Sequence, residues 1–290
     1  MKKAGIILCA VLAAAILLTG TIYLTAAFGA ISPERVIGTL TPENYGMKHE
    51  NFSITFEGTS LSGWLIPASD GLSDKTVVFS HNRKSNREIP EADGFVLMRD
   101  LSDNGYNVVT FDYLGSGASE GDFYTFGVSE AGQLSAVIDY ALEEIPGTSL
   151  SVIGFGCGAA AAIETAKRPE VKGVVAESCY DSFNVGIFSA YTALPLPSIG
   201  MAIVESFSGT KLSLSPAETL SEITGKHFYF IHCLEDPTVD YTGSQKLNLL
   251  ASGNNESDLW LIEEGGHCLG ALADEANYSA HIILFLDSFM

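Results

Sequence analysis

The stretch Val152-Ile153-Gly154-Phe155-Gly156-Cys157-Gly158-Ala159-Ala160 decides the fold. Residues 150–153 form a short apolar run suited to a buried strand, and 159–166 are alanine-rich and suit a helix. The glycines at 154, 156 and 158 permit a turn between them that bulkier residues would block. A strand-to-helix turn of the Gly-x-Ser-x-Gly form holds its central nucleophile exposed above the edge of a sheet. Here the central position is Gly156. The turn is written into the chain, but the attacking side chain is not.

Strand-like and helix-like segments alternate on both sides of this turn. Residues 51–56 place Phe52, Ile54 and Phe56 at every second position, which predicts a half-buried strand. Gly58-Thr59-Ser60 is a turn, and a second strand over 61–66 completes an antiparallel hairpin. Apolar runs at 76–80, 108–111, 171–176, 227–231 and 259–262 predict buried strands. Helical spacing predicts helices over 95–104, 129–142, 241–250 and 278–289, the first closed by Gly105. This order predicts an α/β protein: a mostly parallel central sheet with helices on both faces. Residues 180–220, rich in Ser, Pro and aromatics, break the rhythm. They read either as a short cap insertion over a site or as a packed excursion.

Residues 4–30 form an uncharged apolar run behind Lys2 and Lys3. A bilayer-spanning helix needs about 20 such residues, whereas the apolar part of a secretory signal is about 7–15. The length favours an uncleaved transmembrane anchor over 1–30, although Thr25-Ala26-Ala27 offers a cleavage site for a secreted form. The two lysines predict that the amino end stays inside and the body is exported, giving a single-pass protein of the cell membrane. Pro33, Gly38 and Pro42 predict a stalk over 31–50, leaving 51–290 as one domain.

The net charge of −20 argues against a nucleic-acid partner, which needs basic patches. Nothing names a protein partner. Apart from Cys9, the cysteines are Cys157, Cys179, Cys233 and Cys268, with no CxxC spacing. A zinc ribbon or redox pair is therefore not expected.

Four stretches carry a family resemblance. Val77-Val78-Phe79-Ser80-His81-Asn82 is similar to a strand ending in His-Gly. Asp112-Tyr113-Leu114-Gly115-Ser116-Gly117-Ala118-Ser119 is similar to an Asp-x-x-Gly-x-Gly-x-Ser block. The 154–160 turn is the third. Ile231-His232-Cys233-Leu234-Glu235-Asp236-Pro237-Thr238-Val239, with Glu264-Gly265-Gly266-His267, is the fourth. From about Phe52 onward the chain resembles the α/β-hydrolase superfamily, in particular its bacterial membrane-anchored branch near serine aminopeptidases and acyl thioesterases. The resemblance implies Asp236 as catalytic acid and His267 as catalytic base, with backbone N–H groups of Asn82, Arg83 and Cys157 binding an oxyanion. It implies an ester, thioester or amide bond in a small acyl or peptide-like ligand, and no cofactor or metal.

Two positions depart from the family. Gly156 leaves the nucleophile position vacant, and Asn82 stands where the oxyanion loop has glycine. Cys157 is an alternative nucleophile or a small core residue. Ser80 and Ser178, at strand ends, are more remote substitutes. Cys157, Cys179, Cys233, Cys268, His81 and His267 all fall near the carboxyl ends of strands, so a soft-metal or disulfide site stands against coincidence. Asp112, Ser116, Gly117 and Ser119 read as loop scaffolding, His232 and Glu235 as shaping the turn around Asp236, and His281 as a packed residue. Two functions stay open: a hydrolase, or a non-catalytic descendant that binds a ligand or protein at the old site. If only the serine is missing, Gly156→Ser should create esterase activity.

Overall fold

The computed structural model describes residues 2–192 and 196–290. Its centre is an eight-stranded sheet: β1 (Glu50–Phe56), β2 (Thr59–Ile66), β3 (Lys75–Ser80), β4 (Asn107–Phe111), β5 (Ser149–Phe155), β6 (Val171–Glu177), β7 (His227–Cys233) and β8 (Glu256–Ile262). The spatial order is β1-β2-β4-β3-β5-β6-β7-β8. The β1–β2 hairpin is antiparallel and β2 pairs antiparallel with β4; the pairs from β4 through β8 are parallel.

The helices are α1 (Lys2–Ile31), α2 (Gly94–Asp103), α3 (Val128–Glu144), α4 (Cys157–Thr165), α5 (Val185–Thr192), α6 (Pro197–Ser208), α7 (Pro216–Glu222), α8 (Thr242–Ala251), α9 (Gly270–Ala273) and α10 (Tyr278–Asp287). Alternate residues of the central strands divide between two cores. Val152, Val174 and Phe228 pack with α3, α4 and α8; Ile153, Val175 and Tyr229 pack with α2 and α10. The parallel strands are apolar on both faces because both are covered. Gly154 and Gly158 let α4 press onto the sheet: a Cβ at Gly154 would lie 2.6 Å from Ala159 Cα, and one at Gly158 would lie 2.2 Å from the Ser80 carbonyl oxygen.

The predicted cap falls on α5, α6 and α7, which lie between β6 and β7. Its residues 193–195 lie outside the described ones. The segment expected to be a stalk is instead strapped to the body. Arg35 donates to the carbonyls of Ser116, Gly117, Ser119 and Gly121, the Leu40 N–H donates to Glu88, and Pro42 and Met47 are buried. Proline and glycine here stop regular structure without preventing contact.

α1 is solvent-exposed along most of its length and apolar enough to cross a membrane, with a mean hydropathy of 2.5. Its last turn belongs to the body. Ala27, Ala30 and Ile31 are buried in the α4-side core, and the Tyr124 N–H donates to the Ile31 carbonyl.

Candidate active site

β5 delivers the chain to Gly156 at φ 55°, ψ −116°, and α4 starts at the next residue. A side chain in this region is strained, and such strain gathers at functional turns. The Gly156 N–H is held by the Glu177 carbonyl at 2.9 Å. The turn therefore keeps the shape of a nucleophile support with hydrogen in place of a side chain.

Asn82 fills the space this leaves. A Cβ built on Gly156 would lie 2.4, 2.5 and 2.7 Å from Oδ1, Cγ and Nδ2 of Asn82. Asn82 Oδ1 accepts from the Arg83 N–H at 2.7 Å and from the Cys157 N–H at 3.1 Å. Those are the distances at which paired donors hold an oxyanion. The Asn82 carboxamide thus occupies both the room of the absent side chain and the pair of N–H groups expected to bind a substrate oxygen. Its Nδ2 donates to Cys268 Sγ at 3.5 Å.

The loop holding this amide is fixed from both sides. His81 Nδ1 donates to the Asn82 carbonyl at 2.7 Å, and its Nε2 accepts from the Tyr113 N–H at 3.0 Å. Burial pushes the His81 pKa down, against the nearby Asp112 charge, as a neutral ring with one donor and one acceptor requires. Arg83 reaches the other way, donating from Nε to the Ala30 carbonyl and from an Nη to the Gly29 carbonyl, both at 2.9 Å. It caps the carboxyl end of α1, where a helix leaves carbonyls unpaired and favours positive charge.

Asp236 follows β7 and His267 follows β8, so neighbouring strands bring them together. His267 Nδ1 donates to Asp236 Oδ2 at 2.8 Å. Asp236 Oδ1 accepts from the N–H groups of Thr238 and Val239 at 2.8 and 3.0 Å. His232 Nε2 lies 3.2 Å from Asp236 Oδ2, its ring set by Ser244 and the Val239 carbonyl. Burial alone would raise the Asp236 pKa, but donors from His232, His267 and Val239 outweigh it and hold the carboxyl well below its usual range. His267 Nε2 is buried and has no hydrogen-bond partner among the described residues.

The other candidates sort by their contacts. Ser80 Oγ is taken up by Tyr113 Oη at 2.6 Å and the Gly158 carbonyl at 2.7 Å; Ser178 Oγ accepts from the Cys268 N–H at 3.0 Å. Cys157 is fully buried in the apolar core under α4. The five cysteines form no disulfide, and among the described residues no group of three His, Cys, Asp or Glu side chains is placed to hold a metal. Burial pushes up the thiols of Cys179, Cys233 and Cys268, that of Cys233 to about 12. Asp112 accepts from the N–H groups of Arg87 and Ala118, and Gly117 packs against its carboxylate. Ser119 bonds the Asp112 carbonyl, and the Ser116 carbonyl receives Arg35. His281, in the first turn of α10, packs against Trp260 with ring centroids 4.4 Å apart.

Glu91 was not legible in the sequence. It sits in the loop after β3, takes a hydrogen bond from Ser85 at 2.7 Å, and leaves Oε1 buried without a partner among the described residues. Burial raises its pKa, while His267 is near enough to oppose that rise by charge. A lone glutamate after a proline carries no motif.

No family model matches the chain. A protein of Escherichia coli O157:H7 called uncharacterized protein YfhR is 27% identical over 219 residues, covering 73% of this chain and 70% of that protein. Among solved structures, the Pyrococcus furiosus esterase Pf2001 superposes with a TM-score of 0.75 at 26% identity, covering 90% of this chain and 98% of the esterase. Est1E from Butyrivibrio proteoclasticus superposes with a TM-score of 0.63 at 16% identity, covering 82% and 99%. The strand order, the turn at Gly156 and these superpositions agree: the chain has the α/β-hydrolase fold, in the form found in esterases.

Proposed function

We propose that this protein is a membrane-anchored binding protein built on a hydrolase scaffold, with no serine hydrolysis. One observation carries the reading: Asn82 Oδ1 lies on both the Arg83 and Cys157 N–H groups, above a turn that has no nucleophile. A transition-state oxygen would have to displace an internal amide already at hydrogen-bonding distance from both donors. With Gly156 below, nothing at that position can attack a carbonyl.

The Asp236–His267 pair supports a recognition role. With Nδ1–H committed to Asp236, Nε2 is buried and without a protein partner among the described residues, and in the neutral ring it offers a lone pair. An unmade buried hydrogen bond costs about 1–3 kcal/mol, so a ligand that donates an O–H or N–H there gains accordingly. A small acyl or peptide-like molecule with an amide N–H fits this chemistry. The length and hydropathy of α1 support an anchor with the body exported.

The test is hydrolysis of p-nitrophenyl butyrate by the full chain in detergent, with His267→Ala as the blank. The expected result is no difference between them. A rate that vanishes in His267→Ala would overturn the reading and send attention to another nucleophile.

A further inference from the structure

We infer that cap helices α5 and α6 form a second membrane-contact surface, lying on the lipid leaflet from which α1 emerges. The inference rests on the reading of α1 as a membrane anchor. α1 has 30 residues, about 45 Å of helix, whereas the hydrocarbon core of a bilayer is about 30 Å thick. The last third of α1 therefore reaches the boundary, and that is the part on which the cap lies. The Leu196 N–H donates to Tyr23 Oη at 3.1 Å, and Phe207 packs on Phe28 with ring centroids 5.0 Å apart. Tyrosine is a residue of the membrane boundary, where its ring and hydroxyl meet different solvents.

The composition of the cap matches that position. Residues 183–210 contain a single charged side chain, Glu205, in a chain that is 17% charged with a net charge of −20. Glu205 is engaged by the Leu212 N–H at 3.0 Å. Val185, Leu196, Ile199 and Phe207 are exposed, and they continue the exposed apolar surface of α1 at Leu24 and Phe28. A largely apolar, nearly uncharged face of this kind is unfavourable against water and favourable against the acyl boundary. The occupant is lipid rather than another protein, because this face joins the surface that the anchor gives to lipid at the Phe207–Phe28 contact. With charge nearly absent, the contact depends on apolar burial and not on anionic headgroups.

The experiment uses the full chain in phosphatidylcholine vesicles, with and without lipids brominated on their acyl chains. Tryptophan is introduced singly at exposed positions: Ile199→Trp and Phe207→Trp on the cap, Leu12→Trp in mid-anchor, and Leu284→Trp on α10 across the sheet. Emission is read as the difference from wild type. We expect the Leu12 and both cap variants to be quenched several-fold more than the Leu284 variant. Quenching at Leu12 with cap variants no different from Leu284 overturns the inference and leaves the anchor standing. No quenching at Leu12 removes the anchor reading and the inference with it. Cap emission that shifts with protein density but ignores bromine assigns the face to a second copy of the chain, which also overturns it.

Discussion

A Cβ placed on Gly156 falls 2.4 Å from Oδ1 of Asn82, closer than carbon and oxygen approach without a bond. The two residues are complementary: Gly156 has no side chain at the turn, and Asn82 places its carboxamide in that space. A side chain therefore cannot be added at 156 without moving Asn82.

Gly156→Ser by itself should yield no esterase, contrary to what the turn alone suggests. Its Cβ must expel Asn82 from the Arg83 and Cys157 N–H groups, an overpacking that costs about 1–3 kcal/mol. The double variant Asn82→Gly, Gly156→Ser clears that space. It should hydrolyse p-nitrophenyl butyrate, and adding His267→Ala should lower the rate by about 10²-fold or more. A folded double variant with no activity would show that the remaining groups are misplaced for attack.

Asn82→Gly alone should leave the Arg83 and Cys157 N–H groups without their present acceptor. The expected loss is about 1–3 kcal/mol, seen as a lower Tm. Butyrate, whose carboxylate can accept from both donors, should raise the Tm of this variant and leave wild type unchanged. Equal responses would mean that the amide does not guard these donors.

The depressed Asp236 pKa makes a signed prediction about acid. A carboxyl whose folded value lies below its unfolded value near 4 stabilises fully above that pH, and loses this contribution as pH falls through the folded value. Asp236→Asn should therefore melt below wild type at pH 7, with the gap in Tm narrowing below about pH 4. A gap that widens in acid would contradict the assignment of those donors.

Cys157 gives a test of accessibility. Cys157, Cys179, Cys233 and Cys268 are fully buried. In a Cys9→Ser background, DTNB at pH 8 should find no fast-reacting thiol in the native chain and should find these four on denaturation. Fast labelling of Cys157, with loss of any hydrolysis, would revive it as a nucleophile.

What was legible in the sequence followed from local chemistry. Runs such as Val77-Val78-Phe79 and Val152-Ile153 announce strands buried on both faces, and β3 and β5 contain them. The family resemblance paired Asp236 with His267, and the structure sets them 2.8 Å apart because parallel neighbours β7 and β8 deliver their carboxyl ends to one edge. Other features were not legible. The cap helices α5, α6 and α7 are short, 8, 12 and 7 residues, so each shows little periodicity. The role of Asn82 depends on a rotamer and on a hydrogen bond spanning 75 positions in sequence, to Cys157, which no spacing rule reports. The strap over 31–50 was missed for a similar reason, since Arg35 binds carbonyls more than 80 residues away.

The grip of Arg83 on the Gly29 and Ala30 carbonyls has a consequence for shedding. Arg83 is 8% exposed, next in sequence to Asn82, and its guanidinium holds the carboxyl end of α1. Cleavage at 25–27 would keep Gly29 and Ala30 in the chain but remove the helical turns that fix their carbonyls beside the loop carrying Asn82. Loss of α1 up to that point would loosen the grip of Arg83 next to Asn82, so a cleaved form is expected to differ from the intact chain in what it binds.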